Sequence, residues 1–214
     1  TCGENQDRAT LDLYGLQKDL VRKVAASGKP TILVVVTGRP NTLVWEDENL
    51  PAILYAWEPG MLGGKAVAEI LYGEVNPSAK LAITIPRHEG QIQTYYNHKK
   101  STIKRYRLVD MSTKPLYSFG YGLSYTTYEY SDLVLSKEKI APNEDIEVSV
   151  TVKNTGARDG VEIVQLYIND CYSSVTRPVK ELKDFARVAL KAGESKSVTF
   201  KITPDKLQFY DIDM

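Results

Sequence analysis

The chain has 214 residues, 43% hydrophobic and 25% charged, enough to bury a core in one or two domains of a soluble globular protein. Its 27 Lys and Arg balance 27 Asp and Glu, so no net field draws it to nucleic acid or to an anionic membrane. No run of about 18 apolar residues is there to cross a bilayer, and Cys2 and Cys171 give neither a metal-ligand spacing nor a disulfide framework.

In chain order, Leu13, Leu16, Leu20, Val21 and Val24 recur at helical spacing and predict a helix that Gly28 and Pro30 stop. Thr31–Val36 is short, β-branched and apolar on both faces, as a buried parallel strand is. TGRPN then reads as a turn and Ala52–Trp57 as a second buried strand. Gly60, Gly63 and Gly64 open another helix, with Val67, Ile70 and Leu71 facing inward. After the turn NPSAK, Leu81–Ile85 reads as a third strand. Helix, strand, strand, helix, strand is an α/β layer pattern, a mostly parallel sheet with flanking helices. Residues 86–114 lack periodicity and carry HEGQIQTYYNHKK, a loop long enough to be functional or mobile.

Beyond about Tyr130 the period becomes two. Ile146, Val148, Val150 and Val152 alternate with polar residues. NTGARDG turns the chain into Val161–Ile168, and VKELKDFARVAL, KAGES and then Val198, Phe200 and Ile202 follow. Strands at this spacing predict an immunoglobulin-like or fibronectin III-like β-sandwich. Five to six are counted where such a sandwich has about seven, so the expectation is one lacking its last strand or two.

Between these regions, PLYSFGYGLSYTTYEYS (Pro115–Ser131) resembles the hinge between the second and third domains of glycoside hydrolase family 3, the β-glucosidases and β-xylosidases. The resemblance covers nearly the whole chain in order. It runs through GENQDRATLDL (Gly3–Leu13), GKP (Gly28–Pro30), TGRPNTLVW (Thr37–Trp45) and Ala52–Arg87. It continues in GQIQTYYNHK (Gly90–Lys99), Val150–Asp170, SVTRPVKELKDF (Ser174–Phe185), KAGES and LQFYD. The family often has Pro at the positions of Tyr14, Gln93 and Ser118 and Gly at that of Ala79. All four are turn or loop positions, and none of the departures removes a charge.

The resemblance implies three parts: an α/β sandwich domain over 1–120, a hinge over 121–129 and a fibronectin type III-like domain over 130–214. It also implies an upstream (β/α)8 barrel in the same protein that binds the sugar and supplies an Asp nucleophile. Retaining hydrolysis of a glycoside needs two carboxyl groups about 5 Å apart. In several members of the family the acid/base is a Glu in a segment like GExxDR, and Glu4 stands at the matching place. Arg8 could orient a carboxylate or a sugar hydroxyl. By residue type alone, Glu4, Asp7 and Arg8 also read as a solvated loop with a helix-capping Asp.

Tyr95, Tyr96 and His98 crowd the aperiodic loop with His88 and Asn97, and aromatic faces with polar tips suit a sugar. The same aromatics also suit packing onto the hinge or the barrel. Trp45 and Trp57, beside or within apolar runs, read as packing residues. Gly60, Gly63 and Gly64 match neither a P-loop nor a GxGxxG motif and read as a tight strand-to-helix turn. Neither His has a partner at metal-ligand spacing, and no metal or other cofactor is implied.

The reading is therefore the C-terminal part of a retaining exo-acting β-glycosidase, inactive on its own, that hydrolyses terminal β-D-glucosyl residues of a glucoside or oligosaccharide. The alternative is a non-catalytic carbohydrate-binding or structural module. The sequence leaves a homodimer open. It leaves localisation open as well, although periplasmic or secreted action suits such an enzyme.

Overall fold

In the computed structural model, which describes residues 8–91, 94–100, 110 and 112–213, the first helix, α1, spans Gln17–Ala25. It starts later than the apolar spacing predicts because Gly15 takes a left-handed backbone, φ +56°, and breaks the run from Leu13. Gln17 Oε1 reaches back to accept the Tyr14 N–H at 3.0 Å. At the other end Gly28, φ +76°, donates to the Ala25 carbonyl and stops the helix.

Strands β1 (Ile32–Val36) and β2 (Ala52–Trp57) pair in parallel, from Ile32 opposite Ala52 to Val36 opposite Trp57. Parallel neighbours need a crossover. It contains a short helix, α2 (Val44–Asn49), that the sequence reading passed over between the turn TGRPN and the second strand. Helix α3 (Gly63–Leu71) follows Gly60, which sits at φ +69°. A Cβ on Gly63 would lie 2.5 Å from the Pro59 ring, so this glycine permits the tight strand-to-helix approach.

The expected third strand, Leu81–Ile85, is a correction. It runs against Tyr117–Tyr121 through the Leu81 N–H to the Tyr121 carbonyl and the Ile85 N–H to the Tyr117 carbonyl, and only Ile85 and Tyr117 form a bridge. Gly120 turns that partner stretch at φ +79° and Pro86 has no N–H to give, so no ladder propagates.

These elements belong to one compact unit, Thr1–Val75, Leu81–Tyr96 and Arg105–Tyr121. The other comprises Asn76–Lys80, Asn97–Lys104 and Gly122–Met214. It is a fibronectin type III-like sandwich. One antiparallel sheet is ordered β3 (Tyr128–Leu135), β4 (Ile146–Asn154), β7 (Ser195–Ile202). The other pairs β5 (Gly160–Ile168) with β6 (Glu181–Leu190). Val152, Val164, Leu190, Val198 and Phe200 form its core. The turn after β4 is pinned by Asn154, which is fully buried. Its Oδ1 accepts from the Thr126 hydroxyl and the Gly156 N–H, and its Nδ2 donates to the Arg158 and Leu190 carbonyls. Among the described residues no helix is long and apolar enough to cross a membrane.

Candidate active site

The carboxyl ends of β1 and β2 lie side by side, with the Thr37 N–H donating to the Trp57 carbonyl at 2.9 Å. Ligands of open α/β sheets bind at that end of the strands. The loop leaving β1 there carries Asn41 and Thr42, both buried. Asn41 Nδ2 donates to the carbonyls of Leu11 at 2.9 Å and Asp12 at 3.3 Å. The Thr42 N–H donates to the Leu11 carbonyl at 3.1 Å, and its hydroxyl donates to Asp12 Oδ1 at 2.7 Å. From β2 the Tyr55 hydroxyl donates to the Asn41 carbonyl at 2.7 Å. The stretch that follows GENQDRAT is thus fastened to the strand ends.

Asp12 also pairs with Lys18 Nζ at 2.6 Å. Partial burial alone would raise its carboxyl, but the hydrogen bonds from Lys18 and Thr42, with the charges of Lys18 and His88, outweigh that and hold it below its ordinary value. Burial first, and then the neighbouring Glu46 carboxylate, pushes the Tyr55 hydroxyl up, so it stays a donor to Asn41 at any physiological pH. Glu46 itself is 1% exposed, and among the described residues its Oε1 has no hydrogen-bond partner.

Glu4 and Asp7 lie outside the described residues. Arg8 is partly buried. One guanidinium nitrogen donates to the Thr10 hydroxyl at 3.4 Å, and the group sits 5.1 Å from the Tyr14 ring centre. Tyr95 is 53% exposed. Tyr96 stacks on Phe119 with ring centres 4.2 Å apart. Arg8, Tyr95 and Tyr96 belong to the first unit. His98 belongs to the second, where its carbonyl accepts the Val179 N–H and its Nδ1 is 3.3 Å from the Lys99 carbonyl. Among the described residues no group of three His, Cys, Asp or Glu could hold a metal ion.

Sequence reasoning missed Asn41, Thr42 and Asp12, taking GRPN only as a turn. The one signal available was position, since polar residues just past the carboxyl end of a parallel strand stand where sites are built. It also took Trp57 as packing alone. Its ring does pack on Tyr55, centres 5.2 Å apart, but its backbone is left-handed at φ +52°, a strain of about 1–3 kcal/mol held at the end of β2.

The model of the glycosyl hydrolase family 3 C-terminal domain matches residues 1–125, more than half of the chain. The chain belongs to glycosyl hydrolase family 3. A fibronectin type III-like model matches residues 162–214, within the sandwich. A β-xylosidase from Formosa agariphila is 45% identical over the whole chain, which spans 30% of that protein. A periplasmic β-glucosidase from Salmonella typhimurium is 42% identical over 99% of the chain, which spans 29% of it. Among solved structures, a β-glucosidase from Erythrobacter marinus superposes with a TM-score of 0.94 at 42% identity, over 99% of this chain and 28% of that one.

Within the family 3 frame, Tyr14 gains a meaning that its departure from the usual Pro did not reveal. Its N–H serves the start of α1 and its ring receives Arg8, two contacts a Pro could not make.

Proposed function

We propose that this chain is the C-terminal part of a retaining, exo-acting β-glycosidase that releases terminal non-reducing β-D-glucose, with xylose as the nearest alternative sugar. The observation that carries this reading is the match of both domains to β-xylosidases and β-glucosidases about three times as long as the chain. The remainder of the enzyme includes an upstream (β/α)8 barrel with the sugar pocket and an Asp nucleophile. Residues 1–120 close the site from one side, 121–129 act as hinge, and the sandwich beyond is structural.

In this reading the nucleophile attacks the anomeric carbon as the glycosidic C–O bond breaks, and Glu4 gives its proton to the leaving oxygen. Glu4, now a carboxylate, then takes a proton from the water that hydrolyses the glycosyl-enzyme. Arg8 orients a carboxylate or a sugar hydroxyl, and Tyr95, Tyr96 and His98 offer contacts to the substrate. A carbohydrate-binding module would instead present a flat aromatic platform. Of Tyr95, Tyr96 and Trp57, Tyr96 is stacked on Phe119 and Trp57 is packed on Tyr55, which leaves Tyr95 as the exposed one of the three.

The test is an aryl β-glucoside assay of the 214-residue chain beside a form extended upstream through the barrel. Activity in the extended form alone, lost in Glu4→Ala and restored by azide, supports the split site. Turnover by the short chain places both carboxylates within it and overturns the reading.

A further inference from the structure

Strand β2 ends irregularly. Val35 pairs with Tyr55 and Val36 with Trp57, so Ala56 is left over and the parallel ladder slips by one residue at its carboxyl end. An extra residue of this kind re-aims the side chains beside it, and such irregularities are over-represented next to active sites. Here it delivers Trp57 with a backbone at φ +52°, a conformation in which a bulky side chain crowds its own backbone. The other left-handed positions among the described residues of this unit are all glycines: Gly15, Gly28, Gly60, Gly73 and Gly120. A glycine would relieve the strain at position 57 as well. The indole is therefore held against the preference of the backbone.

The conformation is also held from several sides. The Trp57 carbonyl accepts the Thr37 N–H at 2.9 Å, its ring lies 5.2 Å from that of Tyr55, and the Tyr55 hydroxyl is tied to the Asn41 carbonyl. Strained residues over-determined in this way cluster at active sites and ligand clamps. Packing on Tyr55 leaves Trp57 only partly buried, so part of its surface stays open at the strand ends, where open α/β sheets bind their ligands.

We propose that Trp57 is a specificity residue for the leaving group, its indole giving the second sugar of a β-linked oligosaccharide an apolar face to lie against. This role rests on the reading of the chain as part of a β-glycosidase and extends it to the aglycone side. In that reading the terminal sugar sits in the barrel and this unit closes the site, so the leaving group is what this unit meets. An aromatic face carries negative charge density, and the C–H patch of a sugar ring suits it.

The experiment uses the full-length enzyme and two substrates that share the glucosyl group. Cyclohexyl β-glucoside releases a ring with the C–H face of a sugar, and methyl β-glucoside releases methanol. Both leaving oxygens must be protonated as the bond breaks, so a fault in proton delivery lowers both and only contact with the ring separates them. The readout is kcat/KM. Trp57→Ala is expected to lose about 10- to 100-fold on the cyclohexyl glucoside and less than about threefold on the methyl one. Trp57→Asn, whose short side chain tolerates the left-handed backbone, shows the same selectivity. Trp57→Phe, with a smaller ring, loses about three- to tenfold on the cyclohexyl glucoside alone and reports if the shorter side chains do not fold.

If the unaltered enzyme cleaves no β-glucoside, the reading as a β-glucosidase falls and the role of Trp57 with it. If it is active but the variants lower both substrates equally, or neither, Trp57 makes no contact with the leaving group and this proposal alone is overturned.

Discussion

In the second unit Val152, Val164, Leu190, Val198 and Phe200 close on one another from both sheets. In the first unit no apolar side chain of α1 or α3 is buried; Val35, Leu43, Leu50 and Ile85 are, and beside them the polar Asn41, Thr42, Glu46, Thr84 and Gln91. Apolar burial is non-directional and scales with area, so the sandwich draws its stability from shape and volume. Polar groups in an interior need partners of the right geometry, and in the first unit the side chains of Asn41, Thr42 and Gln91 find them in the backbone or side chains of distant residues. Those of Asn41 and Thr42 lie just past the carboxyl end of β1. The two units thus differ in how much of what they bury is polar.

The largest effect separating them is in the sandwich core. Phe200, 7% exposed, should cost about 3–5 kcal/mol on change to Ala, through lost burial and the cavity left behind. Leu20 on α1 is 62% exposed, and Leu20→Ala should stay within about 0.5 kcal/mol. Both tryptophans, Trp45 and Trp57, lie in the first unit, so urea unfolding followed by fluorescence watches that unit. Circular dichroism of the β-sheets weights the second. Phe200→Ala should shift the dichroism midpoint and leave the fluorescence midpoint in place. A common shift in both would mean that the units unfold as one and would break the contrast.

What the sequence made legible follows the same line. Period-two alternation found β4, β5 and β7 because one face of each strand packs on a core that the chain itself supplies, as at Val198, Phe200 and Ile202. The helical spacing of Leu16, Leu20 and Val24 found α1, yet all three are exposed, so the pattern gave the element without its packing. Helix α2 was missed because its sequence, VWEDEN, is six residues long and buries a Glu, so no apolar period marks it. Leu81–Ile85 looked like a strand by composition, and its partner's turn at Gly120 prevented one. The hydrogen bond from Asn41 to the Leu11 carbonyl joins residues thirty positions apart, and local pattern carries no information about such a contact. Glu4 was singled out by the family resemblance alone, and it lies outside the described residues.

The contrast is sharpened where the second unit buries the carboxylate of Glu162. Lys80 Nζ donates to Glu162 Oε2 at 3.2 Å and to the Gly122 carbonyl at 3.0 Å, and the Tyr130 hydroxyl donates to the other Glu162 oxygen at 2.9 Å. Burial, reinforced by Glu162, pushes the Tyr130 hydroxyl up and keeps it a donor. Lys80→Met should cost about 3 kcal/mol, because it leaves the carboxylate buried without its cation. Adding Glu162→Gln should recover part of that loss by removing the charge. If the single change is neutral in the dichroism transition, the sandwich owes nothing to this seam and its apolar core accounts for its stability.

The smallest expected effect lies at Asp12, where Thr42 and Lys18 meet it, and has a defined pH direction. A carboxyl held below its ordinary value of 3.8 contributes stability that is complete above that value and is lost as pH falls through the lower, folded one. For Asp12, burial opposes ionisation, and Lys18, Thr42 and the charge of His88 override it. Its side chain is 42% exposed and Lys18's 31%, so solvent screens the pair and the gain should stay below about 1 kcal/mol. The Asp12 carboxyl carbon, followed by NMR, should titrate below 3.8. The Thr42 amide proton should move with the same midpoint, because Thr42 donates its N–H to Leu11 and its hydroxyl to Asp12. Lys18→Met should bring the midpoint back up. A midpoint at or above 3.8 in the unaltered chain would show that desolvation prevails at Asp12, and the polar order assigned to the first unit would then be weaker at its centre than the hydrogen bonds imply.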